Sequence, residues 1–296
     1  MSVADYNLGF VAFNNPADVE CMITSIQEWQ LEGLKRCLVV DHSTDEVARN
    51  AIETVAQVAG WTYFAEENGG FGAGVNQLAV MSSDRDVLIV LNLDVRFCSL
   101  PPFVEMSRAI VQNSFSLVGT SLLNEERQVV AGRLPPFSLK MLTFNFKSAN
   151  QGISKLQHSC LGVQDWHGAV HGACFAIQIQ DFVSVGGLDE NFFLYAEEFD
   201  LQTKLKKFSR RIGFIDSRSI VHHSEGKVSL KSAILNAFNL RYLALRERRA
   251  TLFIYFTMHL IKLLCRIESR QHKPWAAVVR FNLNRKVLWQ KLSIPF

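Results

Sequence analysis

Four short apolar runs rich in β-formers dominate the first part of the chain: LGFVAF from Leu8, RCLVVD from Arg36, WTYFAE from Trp61 and DVLIVLNLD from Asp86. They lead into the polar residues Asn14, Asp41, Asn68 and Asp94, at intervals of 27, 27 and 26 residues. That interval accommodates one strand and one crossover helix, so the pattern predicts an α/β region built of βαβ units around a mostly parallel sheet. The segments share no sequence and are not a repeat. In an open parallel sheet ligands bind beyond the carboxyl ends of the strands, which puts all four polar residues on one rim.

Beyond Pro101 and Pro102 the pattern gives a helix and a further strand, FSLVGT. The stretch from Asn124 to Asp165 is poorly periodic and contains Pro135 and Pro136; it reads as a long loop or inserted subdomain, the usual seat of selectivity. Order returns at HGACFAIQIQDFVSVGGLDENFFLYAEEFDLQTKLKK. From Ser229 onward the reading is almost wholly helical, with Pro274 marking a helix start. The expected division is an α/β domain over 1–230 and a helical extension over 231–296.

With 296 residues, 48% hydrophobic and 20% charged, the chain is neither disordered, collagenous nor a coiled coil. Its net charge of +3 is unevenly spread. Between Arg241 and Lys291 stand twelve Lys/Arg against Glu247 and Glu268, a net +10, which leaves −7 for the remainder. A basic tail on an acidic body points to an anionic partner, a membrane surface or nucleic acid. The six cysteines lack C-x-x-C or framework spacing, as expected of reduced cytosolic thiols, and a structural zinc is not expected. The N-terminus lacks a basic n-region and reads as a first strand. The longest apolar stretch, from Leu252, is broken by His259 and Lys262 and falls short of the roughly 20 residues a spanning helix needs.

Four segments carry chemistry-bearing side chains. NGGFGAGVNQ, Asn68 to Gln77, opens a helix with glycines that let backbone N–H groups approach an anion; it is neither a P-loop nor a G-x-G-x-x-G fingerprint, and a plain strand-to-helix turn explains it equally well. LNLDV sets Asn92 and Asp94 where an apolar strand leaves the core, suited to a divalent ion bridging a diphosphate, or to an Asx turn. YAEEFD gathers Glu197, Glu198 and Asp200 at a helix start; the macrodipole alone accounts for acids there, but it also favours the ionised carboxylate a general base requires. At roughly 100° per residue Glu198 and Asp200 point apart, so one of them faces a substrate. VHHSEGKVS supplies His222 and His223; one of them could join Asp94 on a metal, or the pair could be plain surface or core histidines.

In this order and spacing the segments resemble the family 2 glycosyltransferases, inverting enzymes of the GT-A fold, and in particular their bacterial rhamnosyltransferase-like branch. The resemblance runs from about Leu8 to Ser229 and rests on FNN, VVDHSTD, ENGGFGAGVNQ, LNLDV and the block GACFAI…GGLDENFFLYAEEFDL with VHHSEGKVS. It implies that Asp41 contacts the nucleotide base. Asn68, Gly69, Gly70 and Gly72 would lie along the donor's nucleotide and phosphates, with Asn14, Asn76 and Asn92 also on the donor side. Asp94 would coordinate Mg²⁺ or Mn²⁺, with His222 approaching the metal or diphosphate. Glu198 would be the base that deprotonates the acceptor, and Glu197, Asp200 and His171 would stand on the acceptor side or support the site. Asn92 replaces the family's first Asp, and Glu198 its commoner Asp.

The resemblance implies a single in-line displacement from a dTDP- or UDP-linked sugar, dTDP-rhamnose first, to a hydroxyl of a growing cell-surface glycan on a polyprenyl-diphosphate lipid. That setting is cytoplasmic, peripheral on the inner face of the bacterial inner membrane. The basic helices, with Arg246, Arg248, Arg249, Lys262, Arg266 and LFIYF, are expected either to meet that anionic surface or to pack on the protein or on a second copy in a homodimer. Two rivals are weaker. A sugar-1-phosphate nucleotidyltransferase needs a basic glycine-rich signature absent from LGFVAFNNPADVE, and a non-catalytic relative would not need Asp94, Glu198 and His222 together. Nucleic-acid binding has no motif here.

Overall fold

The rim foreseen from the four runs forms because their strands lie side by side. In the computed structural model, which describes residues 5–139, 162–223 and 230–271, the chain opens β1 (Tyr6–Ala12), α1 (Pro16–Trp29), β2 (Leu34–Asp41), α2 (Glu46–Val58), β3 (Thr62–Ala65), α3 (Phe71–Val80), β4 (Val87–Leu91). Residues 140–161, 224–229 and 272–296 lie outside the description, and with them the middle of the aperiodic stretch, the SEGKVS part of the histidine segment and the helix start at Pro274. β2 pairs in parallel with β3 and with β1, and β1 in parallel with β4, the right order for successive crossovers. Local chemistry agrees with the boundaries. Asp45 caps α2 by accepting from the Val47 and Ala48 amides, and Pro16 begins α1, where a missing N–H costs nothing.

The second half follows a less regular course. β5 (Val95–Phe97), α4 (Phe103–Asn113), β6 (Phe115–Leu123), β7 (Val129–Ala131), β8 (Arg133–Leu134), β9 (Gln164–Asp165) and β10 (Ala169–Val170) precede β11 (Cys174–Gln178). Then come α5 (Ile179–Ser184), α6 (Glu197–Lys207) and β12 (Arg211–His222). The main sheet runs β3-β2-β1-β4-β11-β6-β12-β5. β11 is antiparallel to both β4 and β6, while β12 is parallel to β6, so β4, β6 and β12 all end on the same rim. The short β5 folds back along the end of β12, setting Val95 opposite His222.

Both faces of the sheet are covered, which is why its central strands are near-continuous apolar runs. Leu8, Phe10, Val39, Ile89 and Leu91 pack one face with α1, α2 and α4; Leu38, Val40, Leu88 and Val90 pack the other with α3 and α6. Phe10 stacks on Trp61 with ring centres 4.8 Å apart.

The described residues fall into two compact units. The first holds the sheet and helices α1 to α6. The second holds the segment Leu194–Ala196 with α7 (Leu230–Arg246) and α8 (Ala250–Gln271). Within the second, the Asn239 side-chain amide donates to the Leu194 and Tyr195 carbonyls, at 2.8 and 2.9 Å. Ile234, Ala237 and Phe238 of α7 pack on Leu260 and Leu263 of α8. Among the described residues no helix is long and apolar enough to cross a membrane.

Candidate active site

The rim gathers its side chains from strand ends that are far apart in sequence. Past β4 the chain turns, and the amide of Asn92 donates to the Ala173 carbonyl at 2.9 Å, so β4 and the segment before β11 are tied together. Asp94 is half-buried. Its carbonyl accepts from the His223 amide at 3.1 Å, and its Oδ1 lies 3.3 Å from Nε2 of the buried His222. The His171 ring stands edge-on to His222, centres 5.6 Å apart, and its Nδ1 accepts from the Ala173 amide at 3.1 Å, which leaves the proton on Nε2. Desolvation pushes the His171 imidazole down to about 4; His222 adds to the shift and Asp94 opposes it. His171 is therefore neutral near pH 7, and it stands against His222 and Asp94.

The Asp94 carboxylate and the His222 imidazole could both ligate a divalent ion. Their 3.3 Å separation is close to the roughly 3 Å between neighbouring ligands on an octahedral ion with bonds of about 2.1 Å. Among the described residues no three His, Cys, Asp or Glu side chains are grouped as a metal cage. Two such donors suit Mg²⁺ or Mn²⁺ only together with further oxygen ligands.

The acidic cluster opens α6. Its first turn carries Glu197, Glu198 and Asp200 and its last turn Lys204, Lys206 and Lys207, so charge at both ends complements the macrodipole. The three acids have different surroundings. Asp200 is fully buried and paired with Lys204 at 3.0 Å, and Lys204 also donates to the Gly187 carbonyl. Glu198 is half-buried. Glu197 is only 6% exposed, and its Oε2 is buried without a hydrogen-bond partner. Glu197 and Glu198 share a narrow niche with Phe71, Leu117, Gly172, Phe175, Leu188, Leu201 and Gln202. Gln202, which lines the same niche, has its amide engaged with both the N–H and the C=O of Val170.

Burial, and then the charge of Glu198, raise the Glu197 carboxyl well above the ordinary carboxylate range. The folded state therefore binds a proton that the unfolded chain releases once pH passes about 4.5, and stability is lost as pH rises towards the folded value. Glu197→Gln mimics the protonated acid. The variant should gain stability over the wild type from about pH 4.5 upward, by at most about 1.4 kcal/mol per pH unit. Denaturant unfolding at several pH values measures this; parallel pH curves for the two proteins would mean that Glu197 is ionised in the fold.

Directly before α6, Tyr195 and Ala196 take left-handed φ values of 73° and 71°. Consecutive non-glycine residues in that region cost of order 1 to 3 kcal/mol each, a strain that clusters at functional sites.

The donor-side residues are placed as follows. Asp41 is fully buried; Oδ1 accepts from the Ser43 amide at 2.8 Å and Oδ2 from the Tyr63 hydroxyl at 3.0 Å. Desolvation and then the Asp41 bond hold the Tyr63 phenol above its ordinary value, so it remains a donor. Beside it the buried His42 meets Glu66 at 2.7 Å, and Arg49 donates to the Ser43 carbonyl. Asn14 pairs with the same loop, its Oδ1 accepting from the Thr44 and Asp45 amides. Asn68 closes an Asx turn onto the Gly70 amide at 3.0 Å. Gly70 has φ 92°, and a Cβ there would lie 2.2 Å from the Phe193 carbonyl oxygen, which also accepts from the Phe71 amide. Close approach of two backbones thus accounts for this glycine, and one N–H at the start of α3 is already met from within the protein. Gly69 lies against Ala73, and Gly72 has ordinary room beside Leu188. Asn76 clamps the turn before α6: its amide donates to the Leu188 carbonyl and Glu190, and its Oδ1 accepts from the Leu188 amide.

Tyr63, His42, Glu66 and Gln202 were not singled out from sequence. For Tyr63 a signal existed, because the parallel register of β2 and β3 sets it beside Val39, two residues before Asp41.

A twisted, mostly parallel sheet with β11 inserted antiparallel, covered by helices and carrying its acids and histidines on one rim, is a GT-A fold. Solved structures of similar shape include the mannosyltransferase PcManGT from Pyrobaculum calidifontis in complex with GDP-Man and Mn²⁺, with a TM-score of 0.59 and 13% identity over 97% of this chain and 79% of that one. GalNAc-T7 with UDP, GalNAc and Mn²⁺ gives 0.56 and 14% over 91% and 58%. Glucosyl-3-phosphoglycerate synthase from Mycobacterium tuberculosis, in complex with Mn²⁺, UDP and glucosyl-3-phosphoglycerate, gives 0.52 and 14% over 82% and 79%. No family model and no curated protein sequence matches the chain. At these identities the likeness carries the fold.

Proposed function

We propose that the protein is an inverting glycosyltransferase of the family 2 type that transfers a sugar from a nucleoside diphosphate donor to an acceptor hydroxyl. The observation that carries this reading is the continuity of the rim. Asp94 meets His222, His222 meets His171, and the next residue, Gly172, shares a niche with Glu197 and Glu198. A donor-phosphate end and a proton-accepting end are thereby joined on one edge of the sheet.

In this reading Glu198 accepts the proton of the attacking hydroxyl at the N-terminus of α6, where the ionised carboxylate is favoured. The new C–O bond forms at the anomeric carbon as the bond to the nucleoside diphosphate breaks on the opposite face, and the anomeric centre inverts. The raised Glu197 carboxyl disfavours a second negative charge beside Glu198. Asp94 and His222 would hold the divalent ion, which when bound offsets the charge of the departing diphosphate. Asp41, Tyr63 and Asn14 shape the base side of the rim, and Asp200 with Lys204 steadies α6.

For the donor we favour dTDP-rhamnose, then UDP-linked sugars; for the acceptor, a glycan on a polyprenyl diphosphate at the inner face of a bacterial membrane. The test is nucleotide release by purified protein from a panel of dTDP-, UDP- and GDP-sugars, with Mg²⁺ or Mn²⁺ and with chelator. Metal-dependent release from one donor class is expected. A panel giving neither release nor a thermal shift would overturn the reading.

A further inference from the structure

Helix α8 is apolar on two opposite faces. Leu252, Phe256, Leu260 and Leu263 are buried, at spacings of four, four and three residues, and make its inward row. Ile254, Met258 and Ile261 are 58%, 66% and 43% exposed, with Tyr255 beside them at 45%. At about 100° per residue these three lie within roughly 60° of one another, on the side away from the buried row. Exposed Arg248 and Arg249 precede this outer row, and exposed Lys262 closes it. Single exposed apolar residues need no explanation, but a row at helical spacing, on a helix whose other face already forms a core, does.

We infer that the outer row of α8 seats on an anionic lipid bilayer, with the helix lying in the interface and its cations at the headgroups. The inference deepens the placement at a membrane made above, and it does not depend on the donor chemistry. Charge selects the occupant. The segment from Arg241 to Lys291 carries a net +10, which complements anionic headgroups and would repel itself across a symmetric contact with a second copy. Size agrees, since Ile254 to Ile261 spans about 10 Å of helix, too little for the roughly 800 Å² per partner of a stable protein interface.

The test is co-sedimentation of the full chain with vesicles of phosphatidylcholine containing about one third phosphatidylglycerol, and with pure phosphatidylcholine, across a salt series. Binding is expected only to the anionic vesicles, weakening at least about tenfold between roughly 0.05 and 0.5 M salt. The triple substitution Ile254→Ser, Met258→Ser and Ile261→Ser should lower it about 100-fold. A control at exposed Val47 and Val58 of α2, both to Ser, should leave it unchanged. Thermal shift of the triple variant with dTDP and with UDP reports the nucleotide site separately, so a failed donor reading and a failed docking surface give different results. Four outcomes overturn the inference: no binding to anionic vesicles at low salt, equal binding to neutral ones, equal binding by the triple variant, or a self-associating wild type that the triple substitution makes monomeric.

Discussion

Glu198→Gln is expected to lower turnover by about 10²- to 10⁴-fold, the range of a positioned general base, and to leave nucleoside diphosphate affinity within about twofold. The expectation follows from the different surroundings of three neighbouring acids. Asp200 is buried against Lys204, and burial in a mostly apolar niche raises the Glu197 carboxyl well above the ordinary carboxylate range. Glu198 alone of the three is not buried, and it stands at the helix N-terminus, where an ionised carboxylate is favoured and an incoming hydroxyl can reach it. Glutamine has the same shape and removes only the proton acceptor, so folding and donor binding should survive. Glu197→Gln, by contrast, changes an acid whose buried carboxyl is raised well above the ordinary range, and should cost turnover less than about tenfold. Rates under saturating donor, with nucleotide titration of each variant, decide the matter. A Glu198→Gln protein that keeps more than about a tenth of wild-type turnover would remove Glu198 from the chemistry.

That pair of variants also marks how far sequence reading reached. The helix start and its three acids were legible, because acids in a first turn and a preceding glycine turn are local signals. Which acid is buried was not, since Glu197 owes its surroundings to Leu117 and Phe175 on strands distant in sequence. The same division runs through the fold. Even spacing of apolar runs was enough to expect β1 to β4 and a shared rim. Nothing periodic announced that the CFAIQ segment would run antiparallel between β4 and β6, because pairing partners are chosen by topology and both directions use the same apolar residues. Asn76 illustrates the limit at single-residue scale. From sequence it belongs to a glycine-rich phosphate segment, yet its amide is spent on Leu188, 112 residues away. His171 likewise owes its place beside His222 to the meeting of a β11 lead-in with the end of β12.

Asp94→Ala should abolish most of the nucleoside diphosphate affinity that Mn²⁺ adds, about 100-fold or more, while leaving metal-free affinity nearly unchanged. The residue suits such a test, because an alanine keeps its backbone anchors. Its carbonyl accepts the His223 amide, and the neighbouring Arg96 anchors on the Leu93 and Val95 carbonyls; an alanine keeps both. Only the carboxylate facing His222 is lost. With no third acidic, histidine or cysteine side chain grouped there among the described residues, one imidazole would remain, too little to hold a hard ion against water. The same scarcity makes a second, opposite expectation for the wild type: Mn²⁺ alone should bind weakly, and the ion and the nucleotide should each raise the other's affinity by the same factor, as linkage requires. Calorimetric titration of dTDP or UDP with and without Mn²⁺, and of Mn²⁺ with and without that nucleotide, measures both arms. Equal losses for Asp94→Ala with metal and with chelator would make Asp94 a structural residue, and tight binding of Mn²⁺ to the nucleotide-free protein would mean that the ion is held elsewhere on the chain.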